Sequence, residues 1–178
     1  MLNCGGLASA TSGIQHFETV FAITPTYARP VQKAELTRLA NVFLMVPNLH
    51  WILVEDSDSK TRLVTEFLEN SGIKYTHLNV ATPEKMKLKP KDPHWSKPRG
   101  VYQRNLALSW LRENFQVGEP GVVYFADDDN SYTTQLFDEI TRTQKVSVFP
   151  VGLVSEDTQL FFYEGLDYSP HNRYFVSL

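Results

Sequence analysis

The sequence predicts an α/β fold, a mostly parallel sheet with helices on both faces, and three observations carry that expectation. Short apolar runs alternate along the chain with segments whose apolar residues recur at helical spacing. The runs are rich in Val, Ile, Leu and aromatic residues, as strands buried on both faces are. Three of them end in polar clusters, "TPTYAR", "EDSDS" and "DDDN", and open α/β sheets place their ligand crevice beyond the carboxyl ends of the strands.

Taken in order, Val20 to Thr24 is a first strand, stopped by "TPTYARP", where Pro25 and Pro30 are expected to forbid a continuing ladder. Pro30 suits a first helical turn, and Leu36, Leu39, Ala40 and Phe43 follow as one helical face until Pro47. A second strand, Trp51 to Val54, ends in acid at Glu55 and Asp56. Leu63, Val64, Phe67 and Leu68 form a second helical face, with Gly72 where a C-terminal cap belongs. "IKYTHLNV" reads as a third strand, and residues 82–100 as a long loop rich in proline and lysine. A helix from Val101 to about Phe115 then leads to "VVYFA", a strand expected to be buried, and to a short helix from about Thr133 to Arg142. No internal repeat interrupts the pattern.

With 178 residues, 42% hydrophobic and 12% aromatic, the chain has the material for one compact domain. Its formal net charge of -3, from 20 acidic against 17 basic residues, lacks the surplus that marks nucleic-acid binding. Cys4 is the only cysteine, so no internal disulfide forms. No run approaches the roughly 20 apolar residues of a membrane span. Residues 1–19 read as a disordered leader without the basic region of a signal peptide.

The triple aspartate Asp127, Asp128 and Asp129 poses the chemical question, because adjacent carboxylates repel unless donors, water or a cation separate them. One reading is a turn and a helix cap, with Ser131 or Asn130 capping the helix that follows. The other is a site for Mg²⁺ or Mn²⁺, hard cations that take one or two protein carboxylates and phosphate oxygens, with a nucleoside diphosphate as the natural partner. Two further polar clusters at neighbouring strand ends favour the site.

A cation adds a second clue. At about 100° per residue, Val101, Leu108, Leu111 and Phe115 share one stripe of their helix, and Arg104 lies within it. Such an arginine serves either a structural ion pair, with Glu55, Asp56 or one of Asp127 to Asp129, or a bidentate grip on phosphate or carboxylate. Arg99, just before the helix, is placed to act with it. Lys85, Lys87, Lys89, Lys91 and Lys97 read as a solvated charged face.

The stretches "TPTYARPVQKAELTRLANVFLMVPNLHWILVEDS", "KPRGVYQRNLALSWLR", "GVVYFADDDNSY", "LFDEI" and "VSVFPVGLV" closely resemble the β-1,3-glucuronyltransferases of proteoglycan and glycoprotein synthesis. The resemblance runs from about Ile23 to Val154. It implies a nucleotide-diphospho-sugar transferase fold of the GT-A type, with residues 20–154 as its UDP-sugar-binding half. It also implies UDP-glucuronic acid as donor, Mn²⁺ as cofactor and a galactose-terminated glycan as acceptor, with inversion at the anomeric centre, residence in the Golgi lumen and a homodimer. Carried over by motif, Tyr27 stacks on uracil, Asp56 accepts its imide proton, and Arg99 lies near the base. Arg104 serves phosphate and glucuronate, Asp127 the donor sugar, Asp128 the ribose and Asp129 the metal.

Residues 155–178, "SEDTQLFFYEGLDYSPHNRYFVSL", do not match the family's second half, which supplies the acceptor pocket, the general base and a late histidine. No base is assigned: Glu156, Asp157, Glu164 and Asp167 read as solvated loop charge and His171 as a surface histidine. The chain is therefore expected to be truncated, without signal peptide or membrane anchor. A nucleotide-sugar-binding pseudoenzyme or partner subunit is the alternative to an active transferase. A metal-dependent nucleotidyltransferase is a third reading.

Overall fold

A computed structural model of the chain describes residues 19–87, 91–93, 97, 99–115 and 120–142. The expected leader before Thr19, Lys89, and all of residues 143–178, with Glu156, Asp157, Glu164, Asp167 and His171, lie outside the described residues.

The described elements alternate as expected: β1 (Thr19–Thr26), α1 (Gln32–Phe43), β2 (Leu49–Glu55), α2 (Arg62–Glu69), β3 (Lys74–Asn79), a single 3₁₀ turn (Glu84–Met86), α3 (Val101–Asn114), β4 (Gly121–Phe125) and α4 (Thr134–Ile140). All four strands are parallel, in the order β3-β2-β1-β4. The chain steps outward from β1 to β3 and then returns to the other side of β1, so the order reverses between β1 and β4. That reversal opens a crevice beyond their carboxyl ends.

Two apolar layers hold the sheet between helices. On one face Leu36, Leu39 and Phe43 of α1, Val64 and Leu68 of α2, and Phe137 and Ile140 of α4 pack around Val20, Trp51 and Leu53. On the other, Ala107 and Leu111 of α3 cover Phe21, Ile23, Ile52 and Val54. Every residue of β2 is buried, and each large apolar side chain so covered contributes roughly 1.5–3 kcal/mol.

Four expectations need correction. β1 does not stop before Pro25 but pairs with β2 through Thr26. Alternate residues point their main-chain groups to opposite neighbours: the Thr26 carbonyl accepts from Asp56 N–H at 2.7 Å on the β2 side, the Ile23 carbonyl from Ala126 N–H at 2.9 Å on the β4 side. Pro25 shares the side of Ile23, so its missing N–H ends only the ladder to β4, whose last pair is Ile23 with Phe125. The chain is thereby released from β1 where the aspartates begin.

β4 is not buried as expected. It is an edge strand among the described residues, and Val123 is 39% exposed. The stripe of α3 is rotated from the expected one: Gln103, Ala107 and Leu111 are buried, Leu108 and Phe115 half-buried, and Val101 exposed, with Gln103 turned toward its partners, the Val80 carbonyl and Thr82 Oγ1. In α2, Leu63 faces solvent in the first turn, whereas Thr61 caps the helix by accepting from Val64 N–H.

Candidate functional site

The three aspartates beyond β4 have three different surroundings. Asp128 is buried, and its carboxylate is held from β1 and the loop that follows. Thr26 Oγ1 donates to Asp128 Oδ2 at 2.6 Å, and Arg29 Nη2 pairs with Asp128 Oδ1 at 2.7 Å. Gln32, at the start of α1, donates to Thr26 Oγ1 at 3.1 Å, and Arg38 reaches the Asp128 carbonyl at 3.3 Å. Arg29 also pairs with Glu35, and its guanidinium carbon lies 4.6 Å from the centre of the Tyr27 ring. Burial opposes the charge of Arg29, but the hydrogen bonds and charges of Asp128 and Glu35 outweigh it and raise its pKa further. The Tyr27 ring, 53% exposed, is thus backed by a fixed cation.

Asp127 is the partner of Arg104. Of the candidate carboxylates for that arginine, the structure selects Asp127, not Glu55 or Asp56. A second nitrogen of Arg104 donates to the Arg99 carbonyl at 3.0 Å, while its Nε is buried without a partner among the described residues. Gly100, at the N-cap of α3, has φ +69°, and a Cβ there would lie 2.6 Å from Arg104 Nη1 and 3.1 Å from Pro25 Cγ. The glycine therefore lets the guanidinium close against the helix start and the end of β1. Tyr132 supports the loop by donating its hydroxyl to the Asp127 carbonyl at 3.1 Å; burial raises its phenol pKa and pushes that of Tyr124 up to about 12.

Asp129 is exposed and has no hydrogen-bond or ion-pair partner among the described residues. The capping reading finds no support, because the N-cap of α4 is Thr133, which makes no side-chain cap hydrogen bond. Among the described residues no group of three His, Cys, Asp or Glu side chains forms a closed metal cage. One exposed, unpartnered carboxylate fits a hard cation whose other ligands come from phosphate and water.

At the end of β2 the two acids differ. Glu55, 1% exposed, is structural: it accepts from Thr61 N–H at 2.8 Å and Thr61 Oγ1 at 2.6 Å, and pairs with His77 Nε2 at 2.6 Å. Asp56 points the other way and accepts from Thr82 N–H at 2.6 Å and Thr82 Oγ1 at 2.7 Å. Arg99 is exposed. Lys85, Lys87 and Lys91 are exposed as expected of a solvated face, with Lys87 paired to Glu84 at 3.0 Å; Lys97 is half-buried and pairs with Asp92 at 3.4 Å.

The fold thus ties Tyr27, Asp128 and the β1 loop together through Arg29, joins Asp127 to Arg104, and sets Asp56 beside them through the Asp56–Thr26 main-chain bond. Sequence reasoning missed Thr26, Arg29, Gln32, Thr82 and Gln103. Arg29 had a legible signal, a cation two residues past Tyr27 at one acidic crevice. Thr82 and Gln103 had none, because their partners are 26 and 21 residues away.

The family model for glycosyltransferase family 43 matches residues 39–170, extending past Val154 into residues outside the described set. The galactosylgalactosylxylosylprotein 3-beta-glucuronosyltransferase I of Drosophila melanogaster is 54% identical over 140 residues, covering 76% of this chain and 46% of that protein. The galactosylgalactosylxylosylprotein 3-beta-glucuronosyltransferase 1 of Homo sapiens is 56% identical over 140 residues, covering 76% of this chain and 41% of that protein. The chain spans less than half the length of these relatives. Among solved structures, S. aureus TarS 1-349 in complex with UDP aligns with a TM-score of 0.45 at 21% identity, over 68% of this chain and 30% of that one.

Proposed function

Since this chain belongs to glycosyltransferase family 43, we propose that the crevice beyond β1, β2 and β4 binds UDP-glucuronic acid for glucuronyl transfer to a galactose-terminated glycan of a proteoglycan linker or glycoprotein. The observation that carries this reading is the division of labour among the aspartates. Asp128 is fixed from beneath by Thr26 and Arg29, Asp127 faces Arg104, and Asp129 stands free of partners among the described residues. A turn or a cap has no use for that arrangement. A donor carrying sugar, ribose and diphosphate does.

In this reading Tyr27 offers its open ring face to uracil, Asp56 accepts the imide proton, and Arg99 borders the base. Asp128 meets the ribose, Asp127 and Arg104 the glucuronate and diphosphate, and Asp129 holds Mn²⁺. The metal, when bound, supplies neutralisation of charge on the leaving diphosphate. Arg104 contributes fixed positive charge at the same place, preorganised by Gly100 and by the Arg99 carbonyl. The reaction is one displacement: the galactose 3-hydroxyl oxygen bonds to the anomeric carbon, its proton passes to a base, and the bond to UDP breaks with its electrons leaving on the diphosphate. None of the described residues is assigned as that base.

The reading extends to the Golgi lumen, where such glycans are elaborated, and to a homodimer. No helix among the described residues is long and apolar enough to cross a membrane. The experiment is transfer of radiolabelled glucuronate from UDP to a galactose-terminated acceptor, with nucleoside triphosphate and pyrophosphate release as the control for nucleotidyl transfer. Label on the galactoside supports the reading; pyrophosphate release without it would replace the reading with the nucleotidyl one.

A further inference from the structure

Thr82, 9% exposed and just beyond β3, gives both of its donors to one carboxylate: its N–H lies 2.6 Å from Asp56 Oδ1 and its hydroxyl 2.7 Å from Asp56 Oδ2. The hydroxyl is held in turn by Gln103 on α3, which is 1% exposed and donates through Nε2 to Thr82 Oγ1 at 3.3 Å and to the Val80 carbonyl at 2.8 Å. The chain Gln103–Thr82–Asp56 therefore runs from the helix that carries Arg104 to the end of β2. An Asp on a strand end normally rotates about its side-chain bonds. Bound at both oxygens, this one does not.

An ionised carboxylate has about four acceptor sites and no donor. Thr82 occupies two of them and fixes the plane in which the others lie. A ring N–H placed there is accepted, whereas a ring nitrogen lone pair is repelled. A carboxylate free to swing would escape that repulsion by turning to a neighbouring exocyclic amino group. We infer that Thr82, anchored by Gln103, is the positioning residue that makes the site select a base with a protonated ring nitrogen, uracil, over one with a bare ring nitrogen, cytosine. The inference rests on the proposed reading of Asp56 as the base-recognising carboxylate.

The experiment is calorimetric titration of UDP and CDP, each with Mn²⁺, into the wild-type chain, Thr82→Val, Thr82→Ser and Gln103→Leu. Thr82→Val keeps the main-chain donor and the shape but removes the hydroxyl. The expected result is a fall of about tenfold in the preference for UDP over CDP, the size of one lost hydrogen bond to a charged group. Thr82→Ser keeps the preference, and Gln103→Leu moves it in the same direction by less. Equal weakening of both nucleotides in Thr82→Val, with the ratio intact, would overturn the inference and leave Thr82 a structural residue. Should Thr82→Val fail to fold, an unchanged ratio in Gln103→Leu would overturn it in the same way. A wild-type chain that binds both nucleotides equally would instead sink the reading of Asp56 itself.

Discussion

Arg29 and Asp128 meet at 2.7 Å with side chains only 12% and 8% exposed, joining the loop after β1 to the loop after β4 across the point where the strand order reverses. The pair is fully supported, since Thr26 takes the other oxygen of Asp128 and Glu35 a share of Arg29. Removing one partner leaves a buried charge uncompensated, which costs about 3–5 kcal/mol. Arg29→Ala is expected to lower unfolding stability by about that amount in urea. Removing Asp128 as well should cost less than the sum of the two single changes, and strict additivity in that double-mutant cycle would show the pair to be uncoupled.

Arg104 stands in the opposite regime. Arg104 itself is 14% exposed, but its partner Asp127 is 42% exposed, so half of the pair is solvated and it contributes less to stability than the doubly buried pair of Arg29 and Asp128, about 1 kcal/mol. Arg104→Lys keeps the charge and loses the planar fork. Affinity for UDP-glucuronate should fall by about 1.5–3 kcal/mol while the Tm of the free protein changes little. A large drop in Tm with intact affinity would show the arginine to be structural.

Gly100 combines two constraints. Its φ of +69° disfavours any side chain by roughly 1–2 kcal/mol, and a Cβ would collide with Arg104 Nη1. Gly100→Ala should therefore lower Tm and UDP affinity together. Loss of stability alone, with full affinity, would mean that Arg104 finds its place without the glycine.

Much of this fold was legible in the sequence. Leu36, Leu39, Ala40 and Phe43 fell on the buried face of α1 as their spacing required, and the strand ends with acid were the strand ends at the crevice. What escaped depended on direction and distance. The effect of Pro25 on the ladders depends on which neighbour its missing N–H faces, which no local pattern shows. The stripe of α3 was misplaced because the partners that bury Gln103, the Val80 carbonyl and Thr82, lie 23 and 21 residues away in sequence, so Val101 is exposed and Gln103 buried. In "EDSDS" the residue pattern alone did not separate the structural Glu55 from Asp56, which only the resemblance singled out, since opposite strand faces decide it.

His50 supplies a pH dependence. It is 5% exposed, stacked edge-on with Trp110 and Phe115, and its Nε2 meets Thr76 Oγ1 at 2.9 Å. Burial, and secondarily the charge of Lys74, lowers its pKa from 6.5 to about 4. Between those values the unfolded chain takes up a proton that the folded chain refuses. Its contribution is therefore whole above pH 6.5, declines as pH falls toward 4, and reaches a total loss of about 3 kcal/mol at most. His77, whose pKa burial also lowers, acts in the same direction. His50→Phe should flatten part of the decline in urea midpoint between pH 6.5 and 4; an unchanged slope would assign all of it elsewhere.

Calorimetric titration of UDP into the wild-type chain and Asp129→Ala, each with and without Mn²⁺, tests the donor site most directly. Asp129 is exposed and without a partner among the described residues, so its loss should leave the fold and Tm unchanged. The account expects wild-type affinity for UDP to rise with Mn²⁺ and that rise to vanish in Asp129→Ala. Metal-dependent binding of equal strength in the two proteins would contradict it.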